Sequence, residues 1–375
     1  MKIAYCIAAT FNPGGMERVL ANKTNYLVAL GHEIIVITTD QQGRSSYFPF
    51  DKAVRFYDLG VNYQDHAGLG IWKKTNSFFR KQRLHKSRLT QLLLELRADI
   101  VVSMFDQDVS FLYKIKDGSA KVLEIHFSRF KRLQYGRKGI WRMMDRIRSK
   151  QDKYLASRYE RFVVLTEEDR GYWGDMSNIA VIPNANSFVP AGLADTDCQR
   201  AIAVGRLDEQ KGFDELLSVW QLVKDTYPDW HLDIYGKGPL QDSLQKQIEE
   251  YGLREQIRLR EPVQDIEFEY KTSAFLIMTS RYEGLPMSLL EAQACGLPLI
   301  AYACKCGPRD VIKEGENGFL IPEGDRQAMV SQTIKLMDNS ALRKQMGKRA
   351  KEMSENFSEE KVMAQWLNMF NALLG

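Results

Sequence analysis

The sequence predicts two α/β domains, each built on a doubly wound parallel sheet with helices on both faces. Three observations support this prediction. The chain has 375 residues, enough for two cores at about 150 residues each. Short, wholly apolar segments alternate with longer amphipathic ones, as in parallel sheets covered by helices. An irregular stretch, Ala185–Gln199, interrupts this alternation, which then begins again.

The first alternation opens with a β-strand, a glycine-containing loop and an α-helix. Lys2–Ala8 is apolar enough for a buried strand, and the helix is expected from Met16 to about Leu30, with Gly31 just past its end. Glu33–Thr38, rich in Ile and Val, completes a βαβ unit. The elements predicted next are helix Lys81–Leu96, strands Ile100–Met104 and Lys121–Ile125, helix Trp141–Arg161 and strand Phe162–Leu165.

The second alternation follows the irregular stretch and ends in a long amphipathic helix. Its predicted elements are strand Ala201–Val204, helix Phe213–Thr226, strand His231–Tyr235, helix Leu240–Tyr251, strands Ile257–Leu259 and Ala274–Met278, helix Met287–Cys295 and strand Leu299–Ala301. The final helix, Glu359–Leu374, has Ser358 as a plausible N-cap. We therefore divide the chain into residues 1–186, residues 187–358 and a last helix, 359–375. Two such domains facing each other would place the ends of both sheets at one ligand-binding cleft.

Composition and charge narrow the class of protein. With 44% apolar and 27% charged residues, the chain is neither disordered, collagen-like nor a coiled coil. No apolar run is long enough to span a bilayer and no signal peptide is evident, so a cytoplasmic location is expected. Five scattered cysteines suit reduced thiols, and Cys304-Lys305-Cys306 lacks the second ligand pair of a zinc site.

Charge is divided unevenly along the chain. Residues 1–190 hold 30 basic and 19 acidic side chains, whereas residues 191–375 hold 22 and 29. The excess is concentrated in Trp72–Arg97 and Arg129–Arg161, blocks of a kind that attract phosphate-rich surfaces.

Two cations follow the first strand of the second domain. Arg206 and Lys211 stand in the segment from Gly205 to Gly212, before the next helix. A planar guanidinium and a flexible ammonium together suit a diphosphate. A solvated turn remains an equally weighted interpretation of this segment alone.

Two carboxylates surround the start of a later helix. Glu283 precedes Pro286, which suits a helix start, and Glu291 lies inside the helix. A helix N-terminus favours anions, so carboxylates beside it are expected to accept hydrogen bonds from neutral sugar or ribose hydroxyls. The alternative is that Glu283 only favours the helix dipole and Glu291 is solvated.

Three weaker signals accompany these motifs. The turn ending at Gly15 lacks the spacing of dinucleotide or P-loop motifs, although its backbone could approach a ligand closely. Gly236, after strand His231–Tyr235, is as consistent with a tight turn as with a phosphate contact. His126 stands at the tip of a strand, where a histidine facing a cleft is a candidate catalytic residue.

Together these segments resemble a GT-B-fold glycosyltransferase of the large retaining family 4, also called glycosyl transferases group 1. The resemblance covers nearly the whole chain and rests on the motifs in order. They are Gly14-Gly15, Gly205-Arg206-Leu207 with Lys211-Gly212, Gly236-Lys237-Gly238-Pro239-Leu240, the pair Glu283 and Glu291, Gly296-Leu297-Pro298, Gly307-Pro308 and Asn317-Gly318-Phe319-Leu320-Ile321-Pro322.

The resemblance implies a role for each matching residue. Arg206 and Lys211 would hold the donor diphosphate, Glu291 the ribose hydroxyls and Glu283 the donor sugar, while His126 would lie beside the transferred sugar. The implied catalytic set is His126, Arg206, Lys211 and Glu283. The implied donor-binding set is Gly15, Gly205, Arg206, Lys211, Gly236, Glu261, Pro262, Val263, Glu283, Gly284, Leu285, Pro286, Met287 and Glu291. The final helix would pack back on the first domain.

Two departures from the family pattern affect this assignment. Glu283-Gly284-Leu285-Pro286 replaces the common Glu-Gly-Phe-Gly, which removes one backbone donor, and Glu261-Pro262 replaces a common glycine in the loop that meets the base. UDP donors are favoured over GDP donors by resemblance only.

We expect sugar transfer from a nucleotide diphosphate donor to a hydroxyl acceptor, with retention at the anomeric carbon. No cofactor or metal is expected, because no Asp-x-Asp motif stands at a strand end in the right context, and this includes Asp106 to Asp108. The basic first domain is expected to bind a glycan or lipid-linked glycan acceptor and to contact the inner face of an anionic membrane peripherally, although ordinary solvated helices explain the charge equally well. The residues assigned to this surface are Phe78, Phe79, Arg80, Lys81, Arg129, Lys131, Trp141 and Arg142.

Three other functions remain open at the level of sequence. A sugar-nucleotide epimerase would convert the donor without an acceptor, and a glycan phosphorylase would require inorganic phosphate. A nucleic-acid-binding protein could use the basic half, but no helix-turn-helix, RNA-recognition or zinc signature supports it. We therefore expect no nucleic-acid partner.

Overall fold

The computed structural model describes residues 1–63, 71–131 and 139–375. Within this part, the chain forms two compact units. The first comprises Met1–Ile182 and Val362–Gly375, and the second comprises Pro183–Lys361. The divisions predicted after residues 186 and 358 lie close to these boundaries. Between Val181 and Arg200, within the predicted irregular stretch and just before it, the chain forms neither helix nor strand.

The first unit is built on a seven-stranded parallel sheet. Its strands are β1 Lys2–Ile7, β2 Glu33–Thr38, β3 Arg55–Asp58, β4 Ile100–Ser103, β5 Ala120–Glu124, β6 Arg161–Val164 and β7 Ile179–Val181. The strand order is β3-β2-β1-β4-β5-β6-β7. The order reverses between β1 and β4, which makes their carboxyl ends the usual ligand-binding edge of such a sheet.

Helices cover both faces of this sheet. They are α1 Gly15–Ala29, α2 Ile71–Leu96, α3 Ile140–Ala156, α4 Glu167–Trp173 and, at the end of the chain, α12 Glu359–Leu374. Leu89 and Leu93 of α2 and Trp173 of α4 are buried in one apolar cluster with strand residues. On α12, Trp366 and Phe370 are fully buried within the unit to which Val362–Gly375 belongs.

The second unit repeats the arrangement with six parallel strands. They are β8 Arg200–Val204, β9 His231–Tyr235, β10 Ile257–Arg260, β11 Phe275–Met278, β12 Leu299–Tyr302 and β13 Gly318–Ile321, in the order β10-β9-β8-β11-β12-β13. The helices are α5 Phe213–Val223, α6 Gln241–Glu250, α7 Ile266–Lys271, α8 Met287–Ala294, α9 Pro308–Val311, α10 Arg326–Asp338 and α11 Ser340–Ser354. The order reverses between β8 and β11, so this is a Rossmann-like sheet with its switch point there.

The helix that precedes β6 is shorter than predicted. The helix predicted over Trp141–Arg161 ends at Ala156, and Arg161 begins β6 instead. After Ser157, the Glu160 N–H donates to the Lys121 carbonyl, which brings the chain into register beside β5. Strand pairing therefore overrides the helical pattern of the side chains.

Several short elements were not predicted. β3 has mostly exposed or half-exposed side chains, so it shows no apolar pattern, and β7 and β13 are only three and four residues long. Helix α2 begins at Ile71, ten residues before its predicted start at Lys81.

Candidate functional site

The switch point of the second unit brings together two loops, one after β8 and one after β11. The Arg281 N–H donates to the Gln210 carbonyl at 2.8 Å, and the Arg281 guanidinium reaches the Glu209 carbonyl and the Asp214 carboxylate. The hydrogen bond that the Arg281 guanidinium donates to Asp214 raises the pKa of Arg281. These bonds fasten the loop of the predicted cations to the loop of the predicted carboxylates.

Lys211 and Glu283 meet in the center of this arrangement. The Lys211 Nζ lies 2.6 Å from the Glu283 Oε1, and the two side chains are only 18% and 6% exposed. The Gln210 amide donates to the Tyr282 carbonyl at 3.0 Å and lies 3.4 Å from the second Glu283 oxygen. The structure thus joins two of the residues assigned to the site and adds Gln210, which sequence analysis missed although it lies in the same motif.

Glycines allow the loops of this edge to approach so closely. A Cβ on Gly236 would lie 1.9 Å from the Gly205 carbonyl oxygen, and one on Gly205 would lie 2.9 Å from the Lys211 Cε. Gly212 has φ +63°, and a Cβ there would meet the Thr279 carbonyl oxygen at 2.3 Å. The close approach of the loop after β8 to the loop after β9 therefore suffices to explain why residue 236 is a glycine.

Gly236→Ala is expected to destabilise the second unit by about 1–3 kcal/mol, because the methyl group meets backbone that must shift. Thermal unfolding followed by circular dichroism measures the effect. Gly171→Ala is the matched control, since no atom lies within 4 Å of its added Cβ on α4. Equal melting temperatures for the two variants would contradict the proposed backbone contact.

Glu291 lies in the second turn of α8 and is buried. The Ser187 Oγ donates to its Oε1 at 2.6 Å, and the Tyr270 hydroxyl donates to its Oε2 at 3.0 Å. The alternative in which Glu291 is solvated is therefore wrong. Ser187 and Tyr270 were missed, because neither lies near Glu291 in sequence and neither belongs to a motif.

The start of α8 accommodates the unusual Leu285-Pro286 pair. Leu285 is buried, and Pro286 is the N-cap residue, with Met287 first in the helix. Gly307 lies against Pro286, where an added Cβ would be 2.4 Å from the proline Cδ. The helix N-terminus beside Glu283 and Gly284 offers the partial positive charge expected of such an end.

The other residues assigned to the second unit are more exposed. The Arg206 side chain is 68% exposed and forms an ion pair with Asp208. Glu261 follows β10 and lies 3.7 Å from the ammonium of Lys237, again at the surface. Pro262 and Val263, beside Glu261, are half-buried.

His126 in the first unit belongs to a buried charged group. The His126 Nε2 lies 3.1 Å from the Glu124 Oε1, and the Lys23 Nζ lies 2.5 Å from the same oxygen. Burial alone would raise the pKa of Glu124, but Lys23 and His126 outweigh burial and lower it to about 2. The Lys23 ammonium also lies 3.6 Å from the center of a Trp366 ring. Sequence analysis missed Lys23 and Glu124, which look like ordinary helix and strand residues.

Gly15 is the first residue of α1, one residue before the helix start predicted at Met16. The carboxylate of Glu17 lies over the neighbouring Gly14 and accepts a hydrogen bond from the Asn12 amide at 3.2 Å. An anion at this helix start would therefore meet a carboxylate that the motif did not reveal.

The residues assigned to the acceptor or membrane surface differ in exposure. Phe79 is 59% exposed, Phe78 is 38% exposed, and Arg80 and Arg142 are exposed. In contrast, the Lys81 ammonium donates to the Asn62 carbonyl, Arg129 packs on Trp173, and the Lys131 ammonium lies 4.2 Å from the center of the Phe127 ring. The side chain of Trp141 and residues 132–138 of the basic block lie outside the described part.

The described residues contain no group of three or more His, Cys, Asp or Glu that could hold a metal ion. Asp106 and Asp108 follow β4, where burial raises their pKa values to about 6 and about 7. Among the helices in the described part, none is long and apolar enough to cross a bilayer.

Comparisons with known proteins agree with this architecture. The model of Glycosyltransferase Family 4 matches residues 13–185, and the model of Glycosyl transferases group 1 matches residues 188–353. The crystal structure of a variant of S. aureus TarM with fondaparinux, alpha-GlcNAc-glycerol and UDP has a TM-score of 0.82 at 17% identity, covering 99% of each chain. The fold is that of the GT-B glycosyltransferases.

Full-length and partial relatives agree with the family models. An uncharacterized glycosyltransferase of Haemophilus influenzae is 29% identical over 97% of this chain and 98% of its own. The amylovoran biosynthesis glycosyltransferase AmsD of Erwinia amylovora is 32% identical over 56% of this chain and 62% of its own. The chain belongs to glycosyltransferase family 4.

Proposed function

We propose that the chain transfers a sugar from a nucleotide diphosphate donor, UDP-sugar in preference to GDP-sugar, to a hydroxyl of a glycan or lipid-linked glycan in surface polysaccharide synthesis. The observation that carries the proposal is the Lys211–Glu283 pair at the switch point of the second unit. UDP in the TarM complex and the polysaccharide named for AmsD support the donor and the acceptor class.

The second unit would bind the donor through opposite charges and hydroxyl groups. The diphosphate carries negative charge that Lys211, Arg206 and the N-terminus of α8 would neutralise. Arg206 is exposed enough to exchange Asp208 for a phosphate. Glu283 would accept hydrogen bonds from hydroxyl groups of the sugar, and Glu291 from those of the ribose in place of Ser187 or Tyr270.

Catalysis would follow from fixed positive charge at the leaving group. As the glycosidic bond breaks, negative charge grows on the diphosphate while the sugar gains positive character, and prearranged cations lower the barrier. Lys211 is held by Glu283 before any donor arrives, so little reorganisation is needed. A same-face attack assisted by the departing phosphate would retain the anomeric configuration. His126 would lie beside the transferred sugar, as the resemblance implies.

Transfer is expected to be independent of divalent metal ions, because Lys211 and the helix terminus would supply the positive charge. Activity in 5 mM EDTA should stay within about twofold of the untreated rate. Loss of activity in EDTA with recovery in Mn²⁺ would contradict this prediction.

The first unit would hold the acceptor near a membrane. Exposed Phe79 on α2 and exposed Arg142 on α3 combine apolar and basic groups, as surface-seated helices do on anionic lipid. We accordingly place the enzyme in the cytoplasm, peripherally at the inner membrane face.

Sedimentation with vesicles of phosphatidylglycerol and phosphatidylcholine tests the membrane contact. Binding to anionic vesicles is expected at low salt and should weaken as salt rises, because it is electrostatic. Absence of salt-sensitive binding would remove the membrane contact and leave the transferase proposal intact.

A panel of UDP-, GDP- and ADP-sugars in thermal-shift assays tests the donor, because a bound donor raises the melting temperature by mass action. Acceptor-dependent release of the nucleotide, measured next, is expected for a transferase. Donor conversion without an acceptor would indicate an epimerase instead.

A further inference from the structure

The first unit contains a basic pocket unrelated to the residues assigned above for the donor. Its volume is ≈ 480 Å³, and it lies between the second half of α3 and the segment joining α4 to β7. Three cations, Arg129, Lys150 and Lys153, line it with one carboxylate, Asp175. We call this feature the α3 pocket.

The two lysines of the α3 pocket are arranged on one side of the helix. Lys150 and Lys153 are three residues apart, so their side chains are neighbours. Neither forms an ion pair with another residue in the part of the chain that the structure describes. A Cβ added to Gly174 would lie 3.1 Å from the Lys153 Nζ. Because Gly174 has no side chain, the Lys153 ammonium has room beside it.

Arg129 provides a third, less mobile cation. Its guanidinium lies 4.7 Å from the center of the Trp173 ring, and its backbone N–H donates to Asp169 at 2.9 Å. Its Nη1 is buried without a hydrogen-bond acceptor among the described residues. A buried donor without an acceptor is costly, and a ligand that supplied one would recover that cost. Asp169 and Asp152 are the carboxylates whose charge acts on Arg129.

The walls of the α3 pocket are fastened together. The Asn178 amide donates to the carbonyls of Ala156 and Tyr159, at 2.9 and 2.8 Å, and so ties the start of β7 to the end of α3. Because these walls are joined before a ligand arrives, the ordering cost of binding is lower.

We propose that the α3 pocket binds a phosphate group, presented by an anionic phospholipid headgroup or by a soluble phosphate ester. Two mobile ammonium groups and one rigid guanidinium match a group with two negative charges and several acceptor oxygens. The volume leaves room for the group that carries the phosphate.

The surroundings of the pocket bear on which source supplies the phosphate. Met143, Ile147 and Tyr154 of α3 are each more than half exposed, at 55%, 57% and 59%. Their spacing of four and seven residues places them on one helix face with Lys150 between them. An apolar strip that leads to a basic pocket suits a lipid headgroup.

Residue-resolved protection from acetylation tests the proposal. Lys150 and Lys153 are acetylated with an N-hydroxysuccinimide ester, alone or with inorganic pyrophosphate, phosphatidylglycerol vesicles or phosphatidylcholine vesicles, and modification is read by mass spectrometry. We expect about fivefold protection of both lysines by pyrophosphate or by the anionic vesicles, and none by phosphatidylcholine. Because the readout is confined to two residues of the first unit, pyrophosphate bound at a donor site does not affect it.

Matched variants separate the pocket from general positive charge. Lys150→Gln, read at Lys153, and Lys153→Gln, read at Lys150, should each weaken binding of the protecting probe about fivefold. Arg148→Gln removes one charge from another side of α3 and should change binding less than about twofold, since it does not line the pocket. Protection by pyrophosphate indicates a soluble ester, and protection by the vesicles alone indicates a lipid. No protection by either probe, or equal loss in Arg148→Gln and the two pocket-lysine variants, would overturn the proposal.

Discussion

Replacing Lys211 with methionine is expected to lower kcat/KM for sugar transfer about 10²–10³-fold, because it removes a fixed positive charge from the leaving diphosphate. The Lys211 Nζ lies 2.6 Å from Glu283 and is mostly buried, so no other residue can readily take its place. Lys211→Arg keeps the charge and should recover part of the loss. Initial rates over a range of UDP-sugar concentrations measure the effect.

A folding defect must be separated from a catalytic one in this experiment. Among the described side chains, Lys211→Met leaves the Glu283 carboxylate with only the 3.4 Å contact from Gln210, so the melting temperature of this variant is measured alongside. Lys246→Met is the matched control, because Lys246 is exposed on α6 and, within residues 1–63, 71–131 and 139–375, pairs only with Glu250. Activity within about threefold of wild type in a folded Lys211→Met protein would contradict the proposed role.

Lys23→Met is expected to destabilise the first unit by about 3–5 kcal/mol, because it leaves the buried carboxylate of Glu124 without its ammonium partner. The two side chains are only 5% and 1% exposed. Chemical unfolding by urea, followed by circular dichroism, measures the free energy. Adding Glu124→Gln removes the unpaired charge and should recover at least about 2 kcal/mol.

An exposed pair provides the comparison for this prediction. Arg170→Gln breaks the surface ion pair with Glu167 and should cost less than about 1 kcal/mol. Similar losses for Lys23→Met and Arg170→Gln, or a double variant less stable than Lys23→Met, would contradict the account of a buried pair.

The Lys23–Glu124 pair also predicts how the free energy of unfolding depends on pH. The folded-state pKa of Glu124 is lowered from 4.5 to about 2, so the folded protein holds this proton less tightly than the unfolded chain. Its contribution is therefore complete above about pH 4.5 and is lost as the pH falls toward 2. In the Lys23→Met and Glu124→Gln double variant, this part of the acid dependence should disappear from urea unfolding curves. An unchanged acid profile would assign it to other carboxylates.

The order of the main elements could be predicted because their patterns are local. Glu33–Thr38 has the predicted bounds, since it contains the continuous apolar run typical of a buried parallel strand. The end of α3 could not be predicted, because pairing of Arg161 with Val122 stops the helix, and that contact joins segments distant in sequence. β3 was missed for the same reason, because its place in the sheet depends on β2 rather than on its own exposed side chains.

In the candidate site, too, residues within motifs were predicted, whereas the residues that contact them from distant parts of the sequence were not. Lys211 and Glu283 were identified from two motifs, and the structure joins them across 72 residues of sequence. The residues that support Glu291 were not identified, since Ser187 and Tyr270 contact it only after folding. The burial of Lys23 on α1 and of Glu124 on β5 was not predicted either, because charged side chains are ordinarily exposed to solvent.

A crystal structure of the protein with UDP bound tests the central claim most directly. The account predicts diphosphate oxygens within hydrogen-bond distance of the Lys211 ammonium and the Arg206 guanidinium, with a ribose hydroxyl on the Glu291 carboxylate. UDP bound away from the loops after β8 and β11, with Lys211 still paired only to Glu283, would contradict it.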